Sequence, residues 1–296
     1  MIEQTAADLR REFHDYGVVR LPQALDAPTL AQAERLFDWS LANPTPSACR
    51  FYDNDGDHGT SYQDLCHPAA ALNYRDLLEQ SPLADRVAEL WGKDEVWFLY
   101  EQVFFKHGAT TRRTPWHQNA PYLAVEGQDL AVVWINFDQV LREHSLEFVR
   151  GSHRGTLYDG SAFDADDDTK PIYAHGLPRL PDIEAKRSQW DIVSWAITPG
   201  DIIVFHPQVL HGGAPTLATT RRRTLSLRFF GPDAVYARRP EPAPAPLTAG
   251  LHDALHEGDP FRHAAFPQLR PEPRGFAQIP GVADHSTAIR AKMQGE

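Results

Sequence analysis

The segment VWFLYEQVFFK, residues 96–106, is aromatic and β-branched, and it begins the part of the chain that decides the fold. The same character returns in LAVVWINFDQV (130–140), IIVFHP (202–207) and TLSLRFFG (224–231). Such residues are enriched in strands, and turns rather than helical patterns separate the segments. Strands that never alternate with helices indicate an antiparallel sandwich or barrel. We therefore predict a mainly β core.

The N-terminal third predicts a layer of helices. Residues 5–16 place Leu9, Phe13 and Tyr16 at helical spacing, with Thr5 as a candidate N-cap. Further helices are predicted over 26–41 and over 68–91, where Pro82 lies near the start of the last segment.

The loop predicted over 43–64 alternates Asp53, Asp55 and Asp57 as a calcium loop does. A calcium loop has Gly at its sixth position, where this chain has His58, and it lies between two helices. A solvated acidic loop is the better interpretation.

Two later segments depart from the strand pattern. Residues 158–189 form an insertion with the acidic run DADDDT and several prolines, too long for an ordinary connection. An active-site lid and a surface excursion both fit it. Beyond Asp233 the composition turns to Pro, Ala and His, which predicts an extended, poorly packed tail.

These segments together predict a single domain. Its parts are a helical N-terminal layer (1–94), a core with the inserted lid (95–232, the lid at about 158–189) and a Pro-rich C-terminal extension (233–296).

Composition limits the classes of function. The chain has 296 residues, of which 42% are hydrophobic, so it can bury a large core. With 40 acidic and 29 basic residues its formal net charge is -11, which argues against a general nucleic-acid surface. Cys49 and Cys66 are expected to be free thiols of a reducing compartment. Because neither a signal peptide nor a membrane span is evident, we expect a cytoplasmic protein without a membrane partner.

The stretch RTPWHQNAPY, residues 113–122, carries the candidate metal ligands. His117 and Asn119 are two residues apart, and such side chains point the same way in a strand. His211, far downstream in VLHGGAP, is a remote third candidate. Two imidazoles and one carboxylate form the facial triad of Fe(II) oxygenases, but here the middle ligand would be an amide.

The strand RRTLSLRFF places Arg222, Thr224 and Ser226 on one face. A guanidinium and hydroxyl groups that point into a barrel can bind a carboxylate, because the guanidinium pairs with it bidentately. A 2-oxo acid could then chelate iron while Arg222 binds its far carboxylate. Arg221 and Arg223 flank Arg222, and the alternation of faces alone does not choose among the three.

The chain resembles the phytanoyl-CoA dioxygenase-like Fe(II)/2-oxoglutarate oxygenases. Over residues 8–232 the carrying stretches are, in order, FHDYGVVRLPQAL, RTPWHQNAPY, AVVWINFD, SLEFVRGSHRG, PGDIIVFHPQVLHGGAP and RRRTLSLRFFG.

This resemblance implies a double-stranded β-helix, the jelly-roll of cupin-like proteins, with helices packed outside. It implies Fe(II), 2-oxoglutarate and O2 as cofactors, with catalytic metal ligands at His117, His211 and the position of Asn119. The family's spacing of eleven residues after His211 selects Arg222 for the 2-oxoglutarate C5 carboxylate. Gln118 and Trp134 match positions that line the cosubstrate pocket.

Asn119 departs from the family's HxD motif, in which aspartate is the second ligand. An inactivating change, a weak but working ligand and a retuned site all remain open. A halogenase-like site is the least favoured, because Asn has nearly the volume of Asp and leaves no room for a halide. The expected function is hydroxylation or related oxidation of a small organic molecule. The alternative is a non-catalytic, cupin-like binding protein that retains the pocket.

Overall fold

The structure of the 296-residue chain is a computed structural model. It describes residues 5–50, 60–107, 113–174, 176–216, 220–240, 245–246, 248 and 250–276. The acidic-loop positions Asp53, Asp55, Asp57 and His58 lie outside these ranges. Within them, no helix is long and apolar enough to cross a membrane.

In the described part of the chain, the helices lie mostly before residue 92 and the long strands after residue 95. The α-helices are α1 (Ala6–Tyr16), α2 (Ala27–Ala42), α3 (Ala70–Asn73), α4 (Arg75–Gln80), α5 (Leu83–Trp91) and α6 (Leu251–Ala254). Short 3-10 helices span Ala120–Tyr122, Arg142–His144, Ser152–Arg154 and Glu184–Gln189. The strands are β1 (Val18–Leu21), β2 (Cys49–Arg50), β3 (Thr60–Leu65), β4 (Val96–His107), β5 (Thr114–His117), β6 (Val125–Glu126), β7 (Leu130–Asn136), β8 (Leu146–Val149), β9 (Ile192–Val193), β10 (Ile202–Phe205), β11 (His211–Gly213), β12 (Arg221–Phe230), β13 (Val235–Tyr236) and β14 (Gln268–Arg270).

Local chemistry sets the helix ends. Thr5 and Asp8 form a reciprocal capping box at the start of α1, and Gly17 ends that helix in the left-handed conformation, with φ 72°. The single helix predicted over 68–91 is three shorter helices. One break falls at Ser81, which is extended because the following Pro82 disfavours the helical conformation there.

Two antiparallel sheets form the core. The larger sheet has the order β1-β10-β7-β12-β4-β3-β2, with β14 also paired to β4. The smaller sheet has the order β5-β11-β8-β9. Val132 and Trp134 of the larger sheet pack in one cluster with Leu146 and Phe148 of the smaller sheet, so the two sheets enclose a common interior. The prediction of a mainly β, jelly-roll core is confirmed.

The other face of the larger sheet is covered by helices. Val133 and Ile135 of β7 pack in a cluster that includes Phe37 of α2 and Leu77 of α4. Every residue of β7 is therefore buried, since its alternate side chains enter either the helical layer or the interior between the sheets.

Two predictions about less regular segments were wrong. Part of the predicted loop is strand β3, and Asp64 within it is buried, where it accepts a hydrogen bond from the Thr45 backbone N–H at 2.8 Å. The tail is not poorly packed as far as residue 276. Phe261 and Phe266 lie against Phe230, with ring centroids 5.1 and 5.9 Å away. The prediction was based on the high Pro, Ala and His content of the segment and overlooked these two phenylalanines.

The burial of Ile135 makes a testable contribution to stability. Its side chain is 0% exposed, so Ile135→Ala should lower the free energy of unfolding by about 2–5 kcal/mol in urea denaturation, through lost burial and a residual cavity. The matched control is Leu141→Ala at an exposed position, expected to change stability by less than about 0.5 kcal/mol. Equal effects of the two substitutions would contradict the assigned core.

Candidate metal centre and anion pocket

Two histidines meet in the interior on neighbouring strands. His117 of β5 and His211 of β11 are directly opposed in the antiparallel register. Their ring centroids are 4.3 Å apart, and both side chains are buried. The pairing of β5 with β11 therefore brings together residues 94 positions apart in the sequence.

Both rings are held by a backbone carbonyl oxygen at Nδ1. Nδ1 of His117 donates to the Pro115 carbonyl oxygen at 2.8 Å, and Nδ1 of His211 donates to the Val209 carbonyl oxygen at 2.8 Å. A carbonyl oxygen only accepts, so the proton is on Nδ1 and the Nε2 lone pair is available to a metal. Burial lowers the pKa of His117 to about 4 and the pKa of His211 well below its usual value. Both rings are therefore neutral at pH 7, as metal ligands must be.

Asn119 lies near the two histidines, but it is not in a strand as predicted. β5 ends at His117, and Asn119 has helical dihedrals, φ -79° and ψ -29°, at the start of a 3-10 turn. The alternation of a strand therefore does not extend to this position. The backbone N–H of Asn119 donates to the Pro207 carbonyl oxygen at 2.7 Å and fixes the turn. The Asn119 side chain still interacts with the His117 imidazole, which partly offsets the lowering of the pKa of that ring.

The donor set is neutral. The described residues contain no group of three or more His, Cys, Asp or Glu side chains that could bind a metal. Two imidazole nitrogens and an amide oxygen fit a divalent metal. They lack the Coulomb attraction that a carboxylate adds in a partly dry site.

Next to the histidines lies a pair of buried cations. Arg222 of β12 is directly opposed to Lys106 of β4. Arg222 Nη1 donates to the His144 carbonyl oxygen at 2.8 Å, and Lys106 Nζ donates to Thr114 Oγ1 at 3.2 Å. Burial lowers the pKa of Lys106 to about 7, with the Arg222 charge adding to the effect, and it lowers the pKa of Arg222 to about 10.

Neighbouring arginines differ from Arg222 in their partners. Arg221 and Arg223 each form an ion pair with Asp138, at 2.9 and 3.0 Å. Arg222 and Lys106 form no ion pair with any described residue. A buried cation pair without an acidic partner among the described residues suits an anion, because an anion would supply the missing charge.

The remaining predicted pocket residues share this interior. Thr224 and Ser226 are fully buried, and Thr224 Oγ1 donates to Asn136 Oδ1 at 2.9 Å. Trp134 is directly opposed to Ser226 and packs on Phe104, with ring centroids 5.0 Å apart. These side chains therefore face the same interior as Arg222.

Gln118 does not fit its predicted role in cosubstrate binding. Its amide group donates to the carbonyl oxygens of Thr156 and Gln208, at 3.1 and 2.8 Å. Its carbonyl oxygen accepts from the Tyr158 backbone N–H at 2.8 Å. Both amide hydrogens are thereby used, so Gln118 holds the first residue of the 158–189 insertion in place and has no donor left for a ligand.

Sequence reasoning missed two residues of the site. Lys106 is one. It is on the same face of β4 as Gln102 and Phe104, and this alternation could have identified it. Phe163 of the insertion is the other. Its ring lies edge-on to His117, with centroids 5.2 Å apart, and its φ of 53° is rare for a bulky residue. The insertion therefore contacts His117, and local sequence gives no signal for this contact.

The titration of Lys106 predicts pH-dependent anion binding. Glutarate, a five-carbon dicarboxylate, should bind metal-free protein best below about pH 7, where Lys106 is charged. A bound carboxylate stabilises the charged amine and raises its pKa. Affinity should therefore fall as the pH rises from about 7 through that raised value. The measurement is calorimetric titration of glutarate at several pH values.

Lys106→Met should remove this pH dependence, while Lys93→Met at an exposed position should preserve it. The same affinity throughout the range in the unmodified protein would exclude Lys106 from the anion pocket.

The sequence of this chain is similar to that of one known protein family. The family model described as phytanoyl-CoA dioxygenase matches residues 13–224. The human peroxisomal phytanoyl-CoA dioxygenase is 26% identical over 131 residues, which cover 44% of this chain and 37% of the human protein.

Solved structures share the fold. The epimerase SnoN of nogalamycin biosynthesis, in complex with Fe3+, α-ketoglutarate and nogalamycin RO, superimposes with a TM-score of 0.68 at 19% identity, covering 90% of this chain and 98% of that one. EvdO2 from Micromonospora carbonacea var. aurantiaca, complexed with 2-oxoglutarate, gives a TM-score of 0.55 at 21% identity, covering 82% and 98%. With a family match over most of its length, the chain belongs to the phytanoyl-CoA dioxygenase family.

Proposed function

We propose that this protein oxidises C–H bonds of a small organic molecule, by hydroxylation or a related reaction, at a metal centre formed by His117, His211 and Asn119. The proposal rests on the position of the buried Arg222–Lys106 pair beside two histidines whose Nδ1 atoms bind backbone carbonyl oxygens, which leaves Nε2 of each ring as the candidate metal ligand. A metal-binding pair and an anion receptor in one interior suit a cosubstrate that needs both.

The spacing of the two parts supports this assignment. A Cβ added at Gly213 would lie 3.1 Å from Thr114 Oγ1 and 3.6 Å from Arg222 Nη2, so the guanidinium reaches the β5–β11 pair at Gly213. His211 is two residues earlier on β11, roughly 7 Å along the strand. A five-carbon 2-oxo diacid can span that distance, with one end at the metal and the other at Arg222 and Lys106.

Each residue then has a stated task. The two Nε2 atoms bind the metal, and Asn119 offers an amide oxygen as the third protein ligand. Arg222 and Lys106 hold the distal carboxylate and so orient the keto acid. Phe163 covers His117 and helps to exclude water. Iron with 2-oxoglutarate and O2 supplies the oxidising chemistry when bound.

Proteins of similar fold carry out reactions other than hydroxylation. The names of two fold relatives describe an epimerase and a carbocyclase. We therefore include outcomes other than hydroxylation in the proposal.

A second candidate function is ligand binding without turnover. Asn119 favours it, because a neutral amide holds a dication less firmly than a carboxylate does. The retained Arg222–Lys106 receptor opposes it, since a protein that no longer used a 2-oxo diacid would not need two buried, unpaired cations.

Asn119→Asp distinguishes these two functions. Restoring a carboxylate should raise Fe(II) affinity by about tenfold or more and should restore or increase succinate formation from 2-oxoglutarate. Fe(II) binding and succinate yield are measured for both forms side by side, with His211→Ala as the control that loses the metal.

Two results would count against this prediction. If the Asp form binds iron no better and turns over no faster, position 119 is not a ligand. If the Asn form is already fully active, the amide is a competent ligand and the site is not impaired.

Arg222→Ala tests the cosubstrate anchor. Removing one member of a buried charge pair should weaken binding of 2-oxoglutarate to the metal-loaded protein by about 2–5 kcal/mol, as titration would measure. Arg221→Ala, on the same strand but already paired with Asp138, is the matched control and should leave the affinity unchanged. An equal loss in both variants would indicate a general effect on β12.

A further inference from the structure

We propose a second anion subsite inside the barrel, at Arg228, that binds a carboxylate group close to the histidine pair. It differs from the Arg222–Lys106 receptor in position and in partners. Only protein side chains form this subsite, so it does not require bound iron.

Arg228 lies on the same inward face of β12 as Arg222. The two are six residues apart, roughly 20 Å along a strand, so they cannot both hold the same end of a small ligand. Arg228 is 4% exposed, and its guanidinium carbon lies 4.5 Å from the centre of the Tyr100 ring. The interior therefore contains two guanidinium groups at separate depths.

The hydrogen-bonding capacity of Arg228 is only partly used. Nη2 donates to Gln102 Oε1, and Nη1 makes a long contact of 3.4 Å to Ser226 Oγ. Nε is buried without a hydrogen-bond partner. A guanidinium has five N–H donors, so most of them have no acceptor among the described residues.

Arg228 also has no countercharge. Unlike Arg221 and Arg223, it forms no ion pair with any described residue. The nearby carboxyl group of Glu101 is on the residue after Tyr100, on the opposite face of β4. Burial raises the pKa of Glu101 to about 8, so this group is mainly neutral at pH 7 and does not balance the charge of Arg228.

Packing in the interior connects Arg228 to the histidines. Ser226, which Arg228 contacts, is opposed to Trp134, and Trp134 lies in one cluster with Phe205, whose ring centroid is 4.8 Å from that of His211. Asn119 brings no negative charge. The metal side of the interior therefore holds two neutral rings, a neutral amide and an unbalanced guanidinium, and an incoming carboxylate would supply the missing charge.

Two molecules could supply this carboxylate. One is the cosubstrate, through the carboxylate next to its keto group. The other is the primary substrate, which would then be a carboxylic acid. In either case the binding chemistry is the same, a carboxylate on a buried guanidinium.

Acetate is a suitable probe of the subsite in metal-free, full-length protein. Its affinity is measured by saturation-transfer NMR in an Arg222→Gln background, in which the other receptor is weakened. Adding Arg228→Gln should weaken acetate binding by about tenfold or more. Adding Arg221→Gln, an exposed position on the same strand, should leave the affinity unchanged.

Arg228→Lys distinguishes a loss of positive charge from a loss of folding as the cause of weaker acetate binding. This variant keeps the cation and should retain part of the acetate affinity that Arg228→Gln loses, with both variants checked for native circular dichroism and melting temperature. Equal acetate affinity with and without Arg228, in folded variants, would overturn the proposal.

Asn119→Asp provides an independent test, because it adds a negative charge beside the histidines with almost no change of volume. In the same Arg222→Gln background it should weaken acetate binding by about fivefold or more. Unchanged affinity would overturn the charge-balance argument.

Loading the otherwise unmodified protein with Zn(II) and 2-oxoglutarate identifies the source of the carboxylate. Acetate that still binds in an Arg228-dependent way assigns the subsite to the primary substrate. Acetate that is excluded, together with weaker 2-oxoglutarate binding in Arg228→Gln, assigns it to the cosubstrate. A failure of the protein to bind iron or 2-oxoglutarate would overturn the proposed function but leave the acetate subsite standing.

Discussion

The site depends on the register of β12 between its two neighbours. β12 pairs with β4 on one side and with β7 on the other. That register places Arg222 opposite Lys106, and Ser226 opposite both Gln102 and Trp134. A slip of one residue would turn the whole inward set of β12 toward the helices. Leu225 and Leu227, which are 0% exposed in the helical layer, oppose such a slip because they would have to enter the polar interior.

The interior that this register creates is rich in cations and poor in acids. Lys106, Arg222 and Arg228 are all buried there, and none forms an ion pair with a described residue. The free energy lost in burying these charges is recovered when anions bind. The chain therefore combines a neutral set of metal donors with separate places for negative charge. We propose that Asn119, with an amide where the family has a carboxylate, is part of this charge balance.

The insertion at residues 158–189 is attached to the candidate site through buried contacts. Gln118 lies between the two candidate ligands in sequence, yet its side chain holds the backbone at Thr156 and Tyr158. Phe163, five residues beyond Tyr158, then packs on His117. A movement of the insertion would therefore affect the candidate ligand His117 in two ways, through the neighbouring Gln118 and through the ring of Phe163.

The sequence by itself determined the β core, the helical layer before it and the histidine and arginine candidates, because period-two patterning and the order of motifs are local properties. It also identified Asn119 as the unusual position. Only the tertiary structure decided which side chains meet. Four features depend on segments far apart in the chain: the pairing of β5 with β11, the position of Lys106 opposite Arg222, the contact of Phe163 with His117, and the lack of an ion pair between Arg228 and any described acid. Strand alternation shows which face a residue occupies, but sheet register and lid packing decide what it faces.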